Sequence, residues 1–411
     1  MSERTARWTA PLGAVDPAGS RHQGRRSAVA LTDDSVVAGT AGGDIIAFER
    51  TNGQERWRAT ESVKSSVVSA VPFDGGVVVG ERGPAGAVRA YDADGTERWR
   101  VETADDVGDP QKETRFFLPF VVAIATAGDR CYVAARRYER RSDRPDGERR
   151  HFESVMYAFE GDGTEAWRYA TDASPISLAA GDERVAVAYN RCPGEYQHGL
   201  AVLNAADGSE RMLWDPGTDG QRRVGDVALL DDGLVLCSHG DYRGYRLDSD
   251  GSVRWHVDLA TPIERGDDIV YAYPNHVHAT DAGVVFVAGN TYPEEGRETD
   301  QRHPNEHTAI GYTAAGERRW EASVEGFASG LGTAGNSVAV PSAQNFRRRD
   351  PDTHGCRVFD VREGVTETLD TAGVVTAAAT DGETVAAIEE PVVYHDDGEN
   401  RGAYRLWTAT V

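Results

Sequence analysis

Residues 92–100 read DADGTERWR, and near copies stand at 50–58 (RTNGQERWR), 160–168 (EGDGTEAWR), 248–256 (DSDGSVRWH) and 313–321 (TAAGERRWE). In each, tryptophan follows glycine by four residues: Gly53 and Trp57, Gly95 and Trp99, Gly163 and Trp167, Gly251 and Trp255, Gly316 and Trp320. The Asx/Gly tract predicts a hairpin turn whose glycine takes positive φ after a type I turn. Side chains alternate faces beyond the turn, so Glu97 and Trp99 share one face and Arg98 and Arg100 the other. The tryptophan is therefore held at a fixed height on one face of each hairpin, placed to pack on a neighbouring sheet.

Working outward, a strand precedes each turn: DIIAFE (44–49), AVRAYD (87–92), VMYAFE (155–160) and GLAVLN (199–204). An apolar run comes before it, as in SVVAG (35–39), GVVVG (76–80), CYVAA (131–135) and LVLCS (234–238). A strand of small residues comes before that, as in AVALTD (28–33), VVSAV (67–71), HVHATDA (276–282) and VTAAATDG (375–382). The unit is four short strands, A to D, recurring about every 41–48 residues apart from two longer intervals. That period and strand count mean propeller blades. The expected fold is all-β: one eight-bladed β-propeller of four-stranded antiparallel blades, a single domain over residues 1–411. Met212 takes the tryptophan slot in the fourth unit, with Trp214 two residues later; Thr368 takes it in the seventh. The eighth unit ends at GAYRLWTATV without a D strand. The N-terminal strand 5–11 (TARWTAP) is expected to supply it, to place Trp8 in the slot and to close the ring without an open edge. Seven blades is the alternative if one of the last two is not a full sheet.

The tracts AFERTNGQERW, AYDADGTERW and AFEGDGTEAW resemble the pyrroloquinoline-quinone-type (PQQ-like) propeller repeat, A-x-D-x-x-T-G-x-x-x-W, and the resemblance covers nearly the whole chain. It implies that Trp8, Trp57, Trp99, Trp167, Trp214, Trp255 and Trp320 are structural, docking against adjacent blades. Quinoprotein dehydrogenases of that family bind the quinone with calcium, and many carry adjacent cysteines. Here Cys131, Cys192, Cys237 and Cys356 are far apart, and no set of calcium ligands matches. No cofactor, metal site or catalytic residue is expected. A WD40 reading has only the Trp214–Asp215 pair to support it.

The formal net charge is −23, and Lys64 and Lys112 are the only lysines among 44 basic residues. An acidic, lysine-poor surface keeps a protein soluble at high salt, which points to a halophilic, haloarchaeal source. Such salt disfavours nucleic acid as a partner, since phosphate contacts weaken as it rises. Four dispersed cysteines suggest a reducing compartment. The first residues lack an apolar signal core, Asp33 and Asp34 cut short the run after the twin Arg25–Arg26, and no apolar run reaches membrane length. The protein is expected to be a cytoplasmic monomer.

If strands alternate in direction, B–C and D–A connections share one end of the blades, and the long insertions fall there. Two arginine clusters lie in them: Arg136, Arg137, Arg140, Arg141, Arg149 and Arg150, then Arg347, Arg348 and Arg349. They are expected on opposite sides of the channel mouth, although flanking acids such as Glu139, Asp146 and Glu148 offer them ion pairs. His303 and His307 have the spacing of a helical metal pair, interrupted by Pro304, and His276 and His278 share one face of an A strand, where they would line the channel. The leading expectation is a non-catalytic scaffold that binds a protein partner or a small anionic ligand on this face. The alternatives are a divergent quinoprotein-type or hydrolytic enzyme with its site at the channel mouth, and an exported cell-envelope assembly scaffold.

Overall fold

In the computed structural model, residues 7–19, 24–60, 65–145, 149–296, 298–345, 347–394 and 398–411 are described. Their regular secondary structure is almost entirely strand, and no helix among them is long and apolar enough to cross a membrane. Two compact units emerge, Arg26–Leu229 and a second made of Met1–Arg25 with Leu230–Val411.

The first unit stacks four-stranded antiparallel sheets in chain order. The first sheet is Ala28–Leu31, Ser35–Gly39, Ile45–Glu49 and Glu55–Ala59. Next come Ser66–Phe73, Gly76–Arg82, Ala87–Tyr91 and Glu97–Glu102. The third is Phe120–Ala127, Arg130–Arg140, Arg150–Phe159 and Glu165–Thr171, and the fourth Ser174–Ala180, Arg184–Arg191, Leu200–Asn204 and Glu210–Trp214. B and C strands are buried on both faces, which is why they read as continuous Val/Ala/Ile runs. The core lies between sheets: Ala28, Val37 and Ala47 of the first meet Val67, Val79 and Tyr91 of the second.

The second unit repeats the pattern. It contains Gly233–Ser238, Arg243–Asp248 and Val253–Asp258, and then Asp268–Thr280, Gly283–Pro293, Thr308–Tyr312 and Arg318–Ser323. Gly332–Ala334, Ser337–Ser342, Gly355–Asp360 and Gly364–Leu369 form another sheet. In the last, Val374–Thr380, Thr384–Glu390 and Arg405–Thr410 are joined by the N-terminal strand Trp8–Pro11. That strand pairs antiparallel with Arg405–Thr410, Trp8 opposite Thr408. Residues 5 and 6 of the expected strand lie outside the described residues.

The glycine–tryptophan spacing has a geometric cause. Each indole N–H donates to a carbonyl in the next repeat's C–D turn: Trp57 to Ala93 (3.0 Å), Trp99 to Gly161 (3.1 Å), Trp167 to Ala205 (2.9 Å), Trp255 to Ala314 (3.0 Å) and Trp320 to Val361 (3.1 Å). The ring then lies on that turn's glycine. A Cβ at Gly163, where φ is +86°, would stand 2.5 Å from Cγ of Trp99. Within its own sheet each of these tryptophans except Trp255 faces a small residue: Ala47, Ala90, Ala158 and Gly311. A bulge follows at once and re-aims the strand.

Several expectations need correction. In the seventh repeat the turn glycine, Gly364, sits one position later in a hairpin of the usual length, so Glu367, not Thr368, stands opposite Val358 in the tryptophan slot. Residues 136–154 are not a simple loop: strands Arg130–Arg140 and Arg150–Phe159 pair as far as Arg140 opposite Arg150. Tyr138 and Phe152 pack across that hairpin, ring centroids 5.4 Å apart, which offsets its missing apolar pattern. A further short hairpin pairs Val392–Val393 with Asn400–Arg401.

Candidate ligand-binding face

The hairpin of the third sheet divides its arginines by register. Arg137 is buried, donates from Nε to Val107 O (2.6 Å) and pairs with Glu139 (2.9 Å). Arg141 pairs with the same carboxylate at 2.9 Å. Two guanidinium groups hold the Glu139 carboxyl below its usual range against the opposing effect of burial. Arg140 and Arg150 are exposed, directly opposite each other, and have no carboxylate partner among the described residues. Asp146 and Glu148 lie outside the described residues.

Arg136 is different again. The strand pairings place Arg82, Phe120 and Arg136 side by side, with Phe120 opposite Arg82 on one edge and Arg136 on the other. The Arg82 guanidinium carbon lies 3.7 Å from the Phe120 ring centroid. That of Arg136 lies 5.5 Å from Phe120 and 5.2 Å from Phe152. Arg136 Nε is sealed from solvent without a hydrogen-bond partner, and burial pushes the guanidinium down to about 10. Arg115, in the segment leading to Phe120, is half-buried over Phe116. Burial, then the charge of Arg26, lowers its pKa. By contrast, each buried arginine among the described residues meets a carboxylate: Arg89 with Glu81, Arg137 with Glu139, Arg223 with Asp215, Arg246 with Asp232 and Arg357 with Asp370.

In the other unit the candidates are tied into the fold. Arg347 donates to Thr299 O (2.8 Å) and approaches Glu306 at 3.7 Å; Arg348 pairs with Glu325 at 2.9 Å. His303 and His307 lie in a turn, not a helix. His303 reaches Thr261 O (3.2 Å) and accepts from Asn305 N (3.1 Å); His307, at φ +51°, donates to Asn290 Oδ1 (2.7 Å). Both are buried, and burial lowers both imidazoles, His307 to about 4. His276 and His278 reach Ala328 O (3.0 Å) and Gly335 O (2.7 Å), backbone beside the next sheet's A strand. The two histidine pairs therefore serve separate hydrogen bonds. Among the described residues no three His, Cys, Asp or Glu side chains gather as a metal ion needs. No calcium cluster of that kind is therefore assigned among the described residues, and no chemistry is routed through a quinone.

Sequence reasoning missed Phe120, Arg82 and Arg115, whose association depends on register between sheets. It also missed an aromatic group: Tyr242 at φ +66° packs on Tyr271 (4.6 Å) and Tyr273 (5.7 Å), and Tyr292 lies 5.4 Å from Tyr273.

Stacked four-stranded sheets, five of them seated by an indole on the next repeat's turn, define a β-propeller built from PQQ-type repeats. The family model described as outer membrane protein assembly factor BamB matches residues 3–150 and 151–271, more than half of the chain, and the protein belongs to that family. No curated protein sequence matches it significantly. Among solved structures it is similar to BamB from Moraxella catarrhalis, with 16% identity, a TM-score of 0.54 and coverage of 98% of this chain and 100% of that one. It is similar to the quinohemoprotein alcohol dehydrogenase from Comamonas testosteroni, with 11% identity, a TM-score of 0.60 and coverage of 99% and 76%. The computationally designed Ika8 protein gives 14% identity, a TM-score of 0.51 and coverage of 95% and 98%. At such identities these structures speak for the fold alone.

Proposed function

We propose that this protein is a non-catalytic, eight-bladed propeller scaffold, its last blade completed by the N-terminal strand, that holds an acidic partner protein against the hairpin of its third blade. The observation carrying this reading is the exposed Arg140–Arg150 pair. Like charges directly opposite in a ladder are destabilising. A chain of charge −23 has ample carboxylate to neutralise them, yet Glu139 is engaged by Arg137 and Arg141 instead. An opposing acidic surface would turn that cost into attraction and speed encounter. The family's description as an assembly factor favours a scaffold over a quinone enzyme. Four buried thiols outside any disulfide fit a cytoplasmic protein, and we take it to work as a monomer in a halophilic cell.

The test is capture of partners from the native host at its own salt concentration, comparing wild type with Arg140→Glu/Arg150→Glu. The variant should lose the partner, with affinity down about tenfold or more, while its melting temperature stays within a degree or two. Undiminished capture by the variant would reduce these arginines to a solvated rim.

A further inference from the structure

We propose that Arg136 and Arg82, flanking the Phe120 ring, form a binding site for a small oxyanion, a phosphate or carboxylate group, at the root of the same hairpin. The inference shares that hairpin with the proposed scaffold role but needs no partner protein to be true.

Three observations converge. The first is register: Phe120 lies between Arg82 and Arg136 in adjacent strands, so the three side chains project from one face of the joined sheets. The second is stacking. A guanidinium lying over an aromatic ring keeps its in-plane N–H edge for a ligand, and Arg136 lies near Phe120 in this way, with Arg82 adding positive charge on the ring. Arg136 is further packed by Phe152, so its orientation is set before anything binds. The third is charge. The buried arginines among the described residues each meet a carboxylate, whereas Arg136 has no ion pair there and a sealed Nε without an acceptor.

Arginine stays protonated at neutral pH, so Arg136 is a partly desolvated cation whose counter-charge the described residues do not supply. Arg115, also without an ion pair among the described residues, adds positive potential from the segment that leads into Phe120. A planar fork with two terminal nitrogens fits two oxygens of one anion through parallel N–H···O bonds. A halide offers one acceptor atom where an oxyanion offers two, so only the oxyanion makes the parallel pair of bonds. The oxyanion has two possible sources, free phosphate or a carboxylate on a bound partner, and the experiment separates them.

The full chain is titrated with potassium phosphate, and separately with potassium acetate, at ionic strength held constant with KCl. Melting temperature and the phosphorus-31 line width of inorganic phosphate are followed. Wild type should show a saturable rise in melting temperature and line broadening. Arg136→Met should show neither, and Arg136→Lys, which keeps the charge but not the fork, should bind at least tenfold more weakly. Saturation by phosphate alone assigns free phosphate; saturation by acetate as well assigns a carboxylate-bearing ligand. Equal, unsaturated slopes in wild type and Arg136→Lys would mean general salt stabilisation and overturn the site, as would absent line broadening in wild type even if Arg136→Met fails to fold. Should phosphate fail while Arg140→Glu/Arg150→Glu still releases the partner, the scaffold reading stands and this site falls.

Discussion

At position 163 a side chain of any size would meet an indole, and positive φ would strain it besides. This is why the glycine and the tryptophan recur together: Gly95, Gly163, Gly208, Gly316 and Gly364 each lie under the indole of the repeat before. That relation was legible because it is periodic. The histidines were less so. An i, i+4 spacing places two side chains together only on a helix, and Pro304 with the left-handed His307 makes a turn instead. His307 carries a pH consequence. Its imidazole titrates near 4 in the folded chain and near 6.5 when unfolded, so the unfolded state binds a proton first as pH falls. Stability is therefore complete above about 6.5 and lost as pH drops toward 4, by about 3 kcal/mol for this residue. Denaturant midpoints measured across that window should fall more steeply for wild type than for His307→Asn, which tolerates positive φ.

The element that most rewards attention is the strand Trp8–Pro11. Its partner Arg405–Thr410 would otherwise present an unpaired edge, with Trp407 and Ala409 buried behind it. Removing residues 1–11 should lower the melting temperature by several degrees and promote aggregation, read by light scattering during a thermal ramp. A truncated chain that melts like wild type and stays clear would show that this strand is dispensable. The strand was foreseen from a missing D strand and a displaced Arg-Trp pair. The hairpin of the third sheet was not, because Arg136, Tyr138 and Arg140 alternate without apolar residues to mark a strand. Its pattern is aromatic: Tyr138 meets Phe152 and also Phe117 at 5.2 Å, contacts that sequence spacing does not announce.

Across the whole molecule, charge sets the response to solvent. With a net charge of −23, the folded chain repels itself at low ionic strength. Surface pairs such as Arg58 with Glu55 (2.7 Å) and Arg98 with Asp74 (2.7 Å) offset only a little of this. Denaturation midpoints should rise between dilute and molar KCl as screening shortens to about 3 Å; midpoints that stay level would remove the halophilic reading. The pairing of Trp8 with Thr408 also bears on how the chain is made. Domains tend to fold as they leave the ribosome, and an interior sheet gains its indole seat once the next turn has emerged. The strand carrying Trp8 has no such early reward. It must wait, apolar side chains exposed, until residues 405–410 are synthesised. The last sheet thus depends on two segments far apart in the chain, and a product that stops before residue 405 would carry an unsatisfied strand visible to quality-control proteases.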